Sequence, residues 1–280
     1  MVNSKTSKAQ AKAQMKLPVL DLEAKKVGEL ELPKHIVEVV RPDIIKKVVV
    51  ALQLSRKQPY GASEEAGKRH SAKLYRRRRV FRTAYGYGIS RVPRKILSRR
   101  GSQFYWQGAF APGTVGGRRA HPPKPEKDCE KKINKKERRK AIRSALIACF
   151  DKELVSKRHK IPEEYPFVIV DDLESITKTT QARKVLEKLG FKEEINRLKK
   201  KKVRAGKGKN RGRKYRKKTG PLIITSKKTQ LEKAVSNLGF DVVDVKSLNP
   251  ELLAPGAEPG RAIIITKSAV ELIEKEGLFV

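Results

Sequence analysis

Acidic residues are scarce in this chain of 280 residues: 30 Asp and Glu stand against 67 Lys and Arg, and the formal net charge is +37. So large an excess cannot be offset internally, and it points to a polyanionic partner. Long hydrophobic runs are missing too. No stretch approaches the roughly 18 apolar residues that a membrane-spanning helix requires, and the amino-terminal MVNSKTSKAQAKAQMK is polar, without the apolar stretch of a secretory signal. No membrane partner and a cytoplasmic location are therefore expected. Cysteine is nearly absent. Cys129 and Cys149 alone can build neither a disulfide framework nor a Cys-x-x-Cys metal knuckle. The four histidines, His35, His70, His121 and His159, are scattered, and none is spaced at a helical turn from another soft ligand, so no metal site is expected.

The cations are not spread evenly. Residues 56–140 hold 26 Lys or Arg and 6 Asp or Glu, and residues 197–218 hold 14 Lys or Arg and no acid. Outside these segments the chain is close to neutral, so it can pack as an ordinary domain while the two segments bind the polyanion. The first segment is rich in glycine and proline and shows no sustained helical or strand period, so it cannot bury a core of its own. An irregular stretch of this length is either disordered or ordered by a partner. Its aromatics, Phe81, Tyr85, Tyr87, Phe104, Tyr105, Trp106 and Phe110, alternate with arginines. That combination stacks on bases and pairs with phosphates, whereas solvated linkers are poor in aromatics, which favours an RNA-ordered arm. The second segment, RLKKKKVRAGKGKNRGRKYRKK, reads as an arginine-rich RNA-binding stretch in which Tyr215 can stack and the glycines allow close approach to phosphate.

Elsewhere the periodicity is regular. Asn134 and Glu137 fit a capping box ahead of an apolar face of Ala141, Ile142, Ala145, Leu146 and Cys149, in a helix expected to run to about Leu154. The cations in its first two turns oppose the helix dipole, a conflict that external phosphates would remove. Four short apolar runs, Phe167 to Val170, Pro221 to Ile224, Val242 to Val245 and Ala262 to Ile265, read as buried parallel strands. The intervening helical patterns end at Gly190 and Gly239, and a last one follows a Thr266 cap. An earlier helix starts at Pro42, and residues 17–40 suggest a hairpin. The expected fold class is α/β: a three-layer domain with a mostly parallel sheet, formed by residues 1–55 and 125–280, with residues 56–124 as a long irregular RNA-binding insertion.

An α/β sheet invites a nucleotide, but the phosphate motifs fail. Gly86-Tyr87-Gly88 begins like a dinucleotide fingerprint, yet Arg91 takes the third glycine's place. Gly61 to Lys68 is one residue too long for a phosphate loop, and Arg69 stands where Ser or Thr would hold magnesium. Asp171 and Asp172 follow a strand, but without a positioned partner they fit a capping role better than a catalytic one. No catalytic residue and no cofactor are expected. A general nucleic-acid chaperone and an RNA-modifying enzyme remain as the other classes.

The string QGAFAPGTVGGRRAHPPKPEKDCEKKINKKERRKAIRSAL at 107–146 closely resembles the universal fourth protein of the large ribosomal subunit in its archaeal and eukaryotic form. The likeness extends through RPDIIKKVVVALQLSRKQPYG, SRVPRK at Ser90 to Lys95 and PLIITSKKTQLEKAVSNL, over nearly the whole chain. It implies a structural, non-enzymatic ribosomal component whose insertion threads into large-subunit RNA, with a tip near Tyr85 to Arg94 helping to line the narrowest part of the peptide exit tunnel. Ending at Val280, the chain lacks the long basic tail of eukaryotic members, so an archaeal type is expected. Many relatives are glycine-rich where this chain has Phe104, Tyr105 and Trp106, so packing there is expected to differ. The partners implied are large-subunit RNA and neighbouring ribosomal proteins, with no homo-oligomer.

The residues expected to bind RNA from the arm are Arg76, Arg77, Arg78, Arg79, Arg82, Arg91, Arg94, Lys95, Arg99, Arg100, Trp106, Arg118, Arg119, His121 and Lys124. Tyr85, Gly86, Tyr87, Gly88, Arg91 and Arg94 form the expected tip. Outside the arm, Lys135, Lys136, Arg138, Arg139, Arg143, Arg204, Lys207, Lys209, Arg211, Arg213, Tyr215 and Arg216 are expected to add to the RNA-binding surface.

Overall fold

The computed structural model describes residues 15–280, so the polar amino terminus read above lies outside the described residues. The strands are β1 (Lys16–Leu20), β2 (Lys26–Glu31), β3 (Arg94–Arg100), β4 (Gln103–Gly108), β5 (Val168–Ile169), β6 (Lys202–Val203), β7 (Tyr215–Arg216), β8 (Leu222–Thr225), β9 (Asp241–Asp244) and β10 (Ile263–Thr266). The helices are α1 (Pro42–Ser55), α2 (Lys135–Phe150), α3 (Lys152–Ser156), α4 (Thr179–Lys188), α5 (Lys192–Lys199), α6 (Leu231–Ser236), α7 (Pro250–Leu253) and α8 (Lys267–Lys275). Two compact units result. One comprises the chain up to Ser55 together with Glu130–Val280, and the other is Arg56–Cys129.

The first unit is built on a six-stranded sheet in the order β2-β1-β5-β10-β8-β9. β2 pairs antiparallel with β1, and every other pairing is parallel. Successive side chains of a strand point to opposite faces, and both faces here are covered, so the central strands read as continuous apolar runs. Leu222, Ile224, Ile263 and Ile265 pack with Ile45 and Val49 of α1, Ile142 and Leu146 of α2, and Val270 and Ile273 of α8. Their neighbours Ile223 and Ile264 face the other way, onto Leu186 of α4, Ile195 of α5 and Val235 of α6. The result is the α/β three-layer architecture with a mostly parallel sheet.

Three local expectations need correction. The α2 helix stops at Phe150 rather than near Leu154, because Asp151 takes an extended conformation and its carboxylate accepts from the backbone N–H groups of Glu153 and Leu154, starting α3. Asn134 makes no side-chain cap bond, and Glu137 pairs instead with Lys47 of α1 at 2.7 Å. Thr266 does not cap α8 either. Its hydroxyl donates to Glu174 at 2.9 Å, and Asp171 caps that helix by accepting from the Ser268 N–H at 2.8 Å. Gly190 does end a helix as read: its φ is +86°, and a Cβ there would meet Pro162 Cβ at 2.7 Å.

The second unit contains one regular element that the sequence does not announce, the antiparallel β3–β4 hairpin. Its strands are hard to read because neither face packs on an apolar layer, so hydrophobic residues do not alternate cleanly with polar ones. Its buried residues are few and small: Ala72, Thr83, Ala84 and Ala109.

Candidate nucleic-acid interface

The four arginines Arg76 to Arg79 form an exposed run in the second unit. Buried Thr83 fixes its end by donating to the Arg77 carbonyl at 2.7 Å and accepting from the Tyr85 N–H at 3.2 Å. Arg79 and Arg82 both have left-handed backbone, with φ of +56° and +67°. That conformation is costly for a residue with a Cβ and persists only where the surroundings hold it.

Phe81 meets Phe104 edge to face at a centroid separation of 5.1 Å, and Phe104 stacks on Trp106 at 5.3 Å. Arg82 and Arg99 lie over Phe81, each at 5.5 Å, and Arg94 lies over Trp106 at 5.9 Å. Sequence reasoning read these aromatics as able to stack on bases. In the structure they contact one another and carry the guanidinium groups, each cation–π contact worth about 0.5–1 kcal/mol at an exposed site. Tyr87 (64% exposed) and Tyr105 (58%) are left with open faces, along with Leu97 beside the irregularity in β3.

At the expected tip, Gly86 and Gly88 have φ of +88° and +67°, a turn that side-chain-bearing residues resist. Arg91 covers Tyr85 at 5.2 Å. Arg94 braces the turn itself, donating to Ser90 O, to Ser90 Oγ at 2.8 Å and to Val92 O at 3.4 Å. Lys95 and Arg100 are exposed on β3. Farther along, Arg118 lies over Phe110 at 5.0 Å. Arg119, His121 and Lys124 line a cleft of about 620 Å³ together with Lys57 and Tyr60, two residues that sequence reasoning passed over. Among the described residues, no arginine from Arg76 to Arg119 is paired with a carboxylate.

In the first unit, Lys135, Lys136 and Arg138 of α2 are exposed. Arg139 and Arg143 each hold backbone carbonyls at the carboxyl-terminal residues. Arg139 donates to the Val280 carbonyl at 2.8 Å, and Arg143 donates to the Phe279 carbonyl at 2.5 Å and to Glu38 at 3.1 Å. Their i, i+4 spacing turns both toward the carboxyl-terminal residues, with Arg139 exposed and Arg143 half-buried. The second basic segment is a hairpin of β6 and β7. Its turn carries Lys207, Lys209 and Arg211, with Gly206 and Gly212 at φ of +79° and +78°. Arg204 donates to the Arg213 carbonyl at 3.1 Å, while Arg213 and Arg216 are exposed and Tyr215 is 47% exposed under Lys214.

Beside this hairpin, fully buried Glu194 accepts from His159 Nδ1 at 2.7 Å and from the Lys160 N–H at 2.9 Å. It also accepts from Arg197 Nε at 2.7 Å and Arg197 Nη2 at 2.5 Å. Burial alone would raise the Glu194 carboxyl, but these hydrogen bonds outweigh it and hold the pKa at about 2. Burial keeps the His159 imidazole below its ordinary range despite the raising effect of Glu194, so the ring is neutral at pH 7 and donates through Nδ1. Both folded-state values lie below the unfolded ones, so both groups contribute stability that falls on acidification. The loss starts as pH falls through about 6.5, where unfolded His159 takes a proton the folded ring resists, and continues from about 4.5 towards 2 for Glu194. Urea midpoints across this range should show the upper step, and His159→Gln should remove it. An unchanged upper step in that variant would assign it elsewhere.

Among the described residues no cluster of metal-ligating side chains occurs, and no helix is long and apolar enough to cross a membrane.

Residues 30–276 match the profile of the family described as "Ribosomal protein L4/L1 family". The chain is similar to large ribosomal subunit protein uL4 of Nanoarchaeum equitans, 49% identical over 267 residues that cover 95% of this chain and all of that protein. The proteins of the same name from Archaeoglobus fulgidus and Methanococcoides burtonii are 45% and 43% identical, over 92% and 93% of this chain and 98% of each relative.

Proposed function

This chain belongs to the ribosomal protein L4/L1 family, whose members are structural ribosomal proteins and not enzymes, and on that footing we propose that it is an architectural component of the large ribosomal subunit in the cytoplasm. Residues 56–129 act as an arm that binds large-subunit RNA and takes its final shape there during assembly. The turn at Tyr85 to Arg94 helps to line the peptide exit tunnel, and neighbouring ribosomal proteins and RNA are its partners. The observation that carries this reading is the arm's composition in space. Among the described residues its arginines from Arg76 to Arg119 have no carboxylate partner, and the residues it buries are three alanines and a threonine. Such a segment cannot offset its own conformational entropy, whereas phosphates both neutralise it and supply the missing contacts.

Competition binding tests the proposal. At fixed salt, a large-subunit RNA fragment should displace the chain from generic duplex DNA and unrelated duplex RNA with an advantage of about 10³ or more. Equal affinity for all three would instead make the protein a general nucleic-acid chaperone.

A further inference from the structure

The first unit has a cleft of about 420 Å³ between the β6–β7 hairpin and the end of α5. Lys200, Lys202, Arg216, Lys217 and Lys218 surround it, and all five are exposed. Among the described residues none of them has a carboxylate partner. The hairpin register makes the crowding worse, because Lys202 lies directly opposite Arg216 in a ladder only two residue pairs long. Like charges at facing positions destabilise a strand pair, and a lone two-stranded ribbon is marginal in water. Nothing within the described residues offsets this repulsion, so the arrangement calls for an external anion.

The floor of the cleft is rigid. Arg197 spends Nε and Nη2 on the carboxylate of Glu194, and Nη2 also donates to the Thr219 carbonyl at 2.9 Å. Glu194 is fully buried, and its remaining bonds go to His159 and the Lys160 N–H, so its charge is consumed beneath the floor and does not compete for cations at the rim. A guanidinium fixed in this way is pre-organised for an oxyanion, because little of its side-chain freedom is left to lose on binding.

We propose that this cleft is a phosphate site for the RNA backbone, separate from the arm, in which Arg197 contacts the phosphate oxygens and Glu194 and His159 are positioning residues. This rests on the RNA-binding reading above and goes further by naming a second anchoring point and its residues. A phosphodiester fits better than a carboxylate-bearing peptide because several cations converge on one small, open cleft with no apolar pocket for a side chain.

The test uses the full chain, labelled with ¹⁵N at His, Arg and Trp. It is titrated first with inorganic phosphate and then with a short duplex RNA. The His159 Nδ1 and Arg197 Nε signals should shift with both. Lys217→Ala with Lys218→Ala, at exposed rim positions, should abolish the RNA-induced shifts at His159 and weaken RNA binding severalfold. The same variant should make the slope of log affinity against log salt shallower by roughly 1 to 2. Glu194→Gln should remove the Arg197 response to phosphate while the Trp106 indole still responds to RNA; an unaltered Arg197 response would reject the positioning role. Shifts with phosphate but not with RNA would overturn the RNA assignment in favour of a free-anion site. If RNA moves Trp106 but leaves His159 and Arg197 still, the cleft is not an RNA site although the arm is. If RNA moves none of the three, the RNA-binding reading falls with it.

Discussion

Replacing residues 57–128 with a flexible glycine-serine linker of about twenty residues is expected to leave a folded first unit that has lost most of its affinity for large-subunit RNA. The arm carries nineteen of the chain's 67 Lys and Arg residues, and only four acids lie among them. If it neutralises six to ten phosphates, the log–log salt slope should become shallower by roughly 4 to 7, and affinity at 200 mM salt should fall by about 10³ or more. Far-ultraviolet circular dichroism and the urea midpoint should hardly change, because neither apolar cluster of the layered unit uses a residue from 56–129. Collapse of the first unit, or an unaltered salt slope, would show that the division of labour between layers and arm is wrong.

A comparably large effect on stability is expected from Arg261→Met. Arg261 is 1% exposed, immediately before the apolar run that forms β10. Its Nε donates to the Gly220 carbonyl at 2.8 Å and Nη1 to the Leu252 carbonyl at 2.7 Å, while Nη2 pairs with Asp241. Gly220 lies just ahead of β8 and Asp241 opens β9, so one guanidinium ties the starts of three adjacent parallel strands. Methionine keeps much of the stem's volume but leaves two carbonyls without their donor. Each orphaned buried group costs about 1–3 kcal/mol, so a loss of about 3 kcal/mol is expected, or a fall in Tm of roughly 6–12 °C. Arg91→Met in the arm should move stability by less than about 0.5 kcal/mol. A loss below about 1 kcal/mol for Arg261→Met would mean that water takes over the guanidinium's bonds.

The layered unit was readable because burial on both faces of a sheet leaves a mark that no other arrangement leaves. Pro221 to Ile224 and Ala262 to Ile265 are short apolar runs closed by turn residues, and they became β8 and β10 with only a one-residue shift. The helix end at Gly190 was read correctly because glycine supplies a left-handed backbone there, whereas α6 stops at Ser236, short of Gly239, and caps were read wrongly where a polar side chain had another partner within reach, as with Thr266 and Glu137. In the basic regions, composition located the charge but not its partners. The carbonyls that Arg139 and Arg143 bind, at Val280 and Phe279, lie more than a hundred residues away in sequence, so no local pattern announces them. The contacts among Phe81, Phe104 and Trp106 were not legible because no local period shows that a hairpin brings Phe104 and Trp106 beside Phe81. Arg261, His159 and Glu194 gave no signal at all. A single charged residue near an apolar run reads as solvated, and only the fold reveals that these are buried.

The central claim is that the arm gains its order from RNA, and amide hydrogen exchange on the full chain tests it most directly. Without RNA, the N–H groups of β5, β8 and β10 should be strongly protected, while those from Arg56 to Cys129, the β3–β4 hairpin included, should exchange at nearly unprotected rates. Adding large-subunit RNA should slow exchange across the arm and leave the sheet unchanged. Strong protection of the arm in the RNA-free protein would contradict the claim.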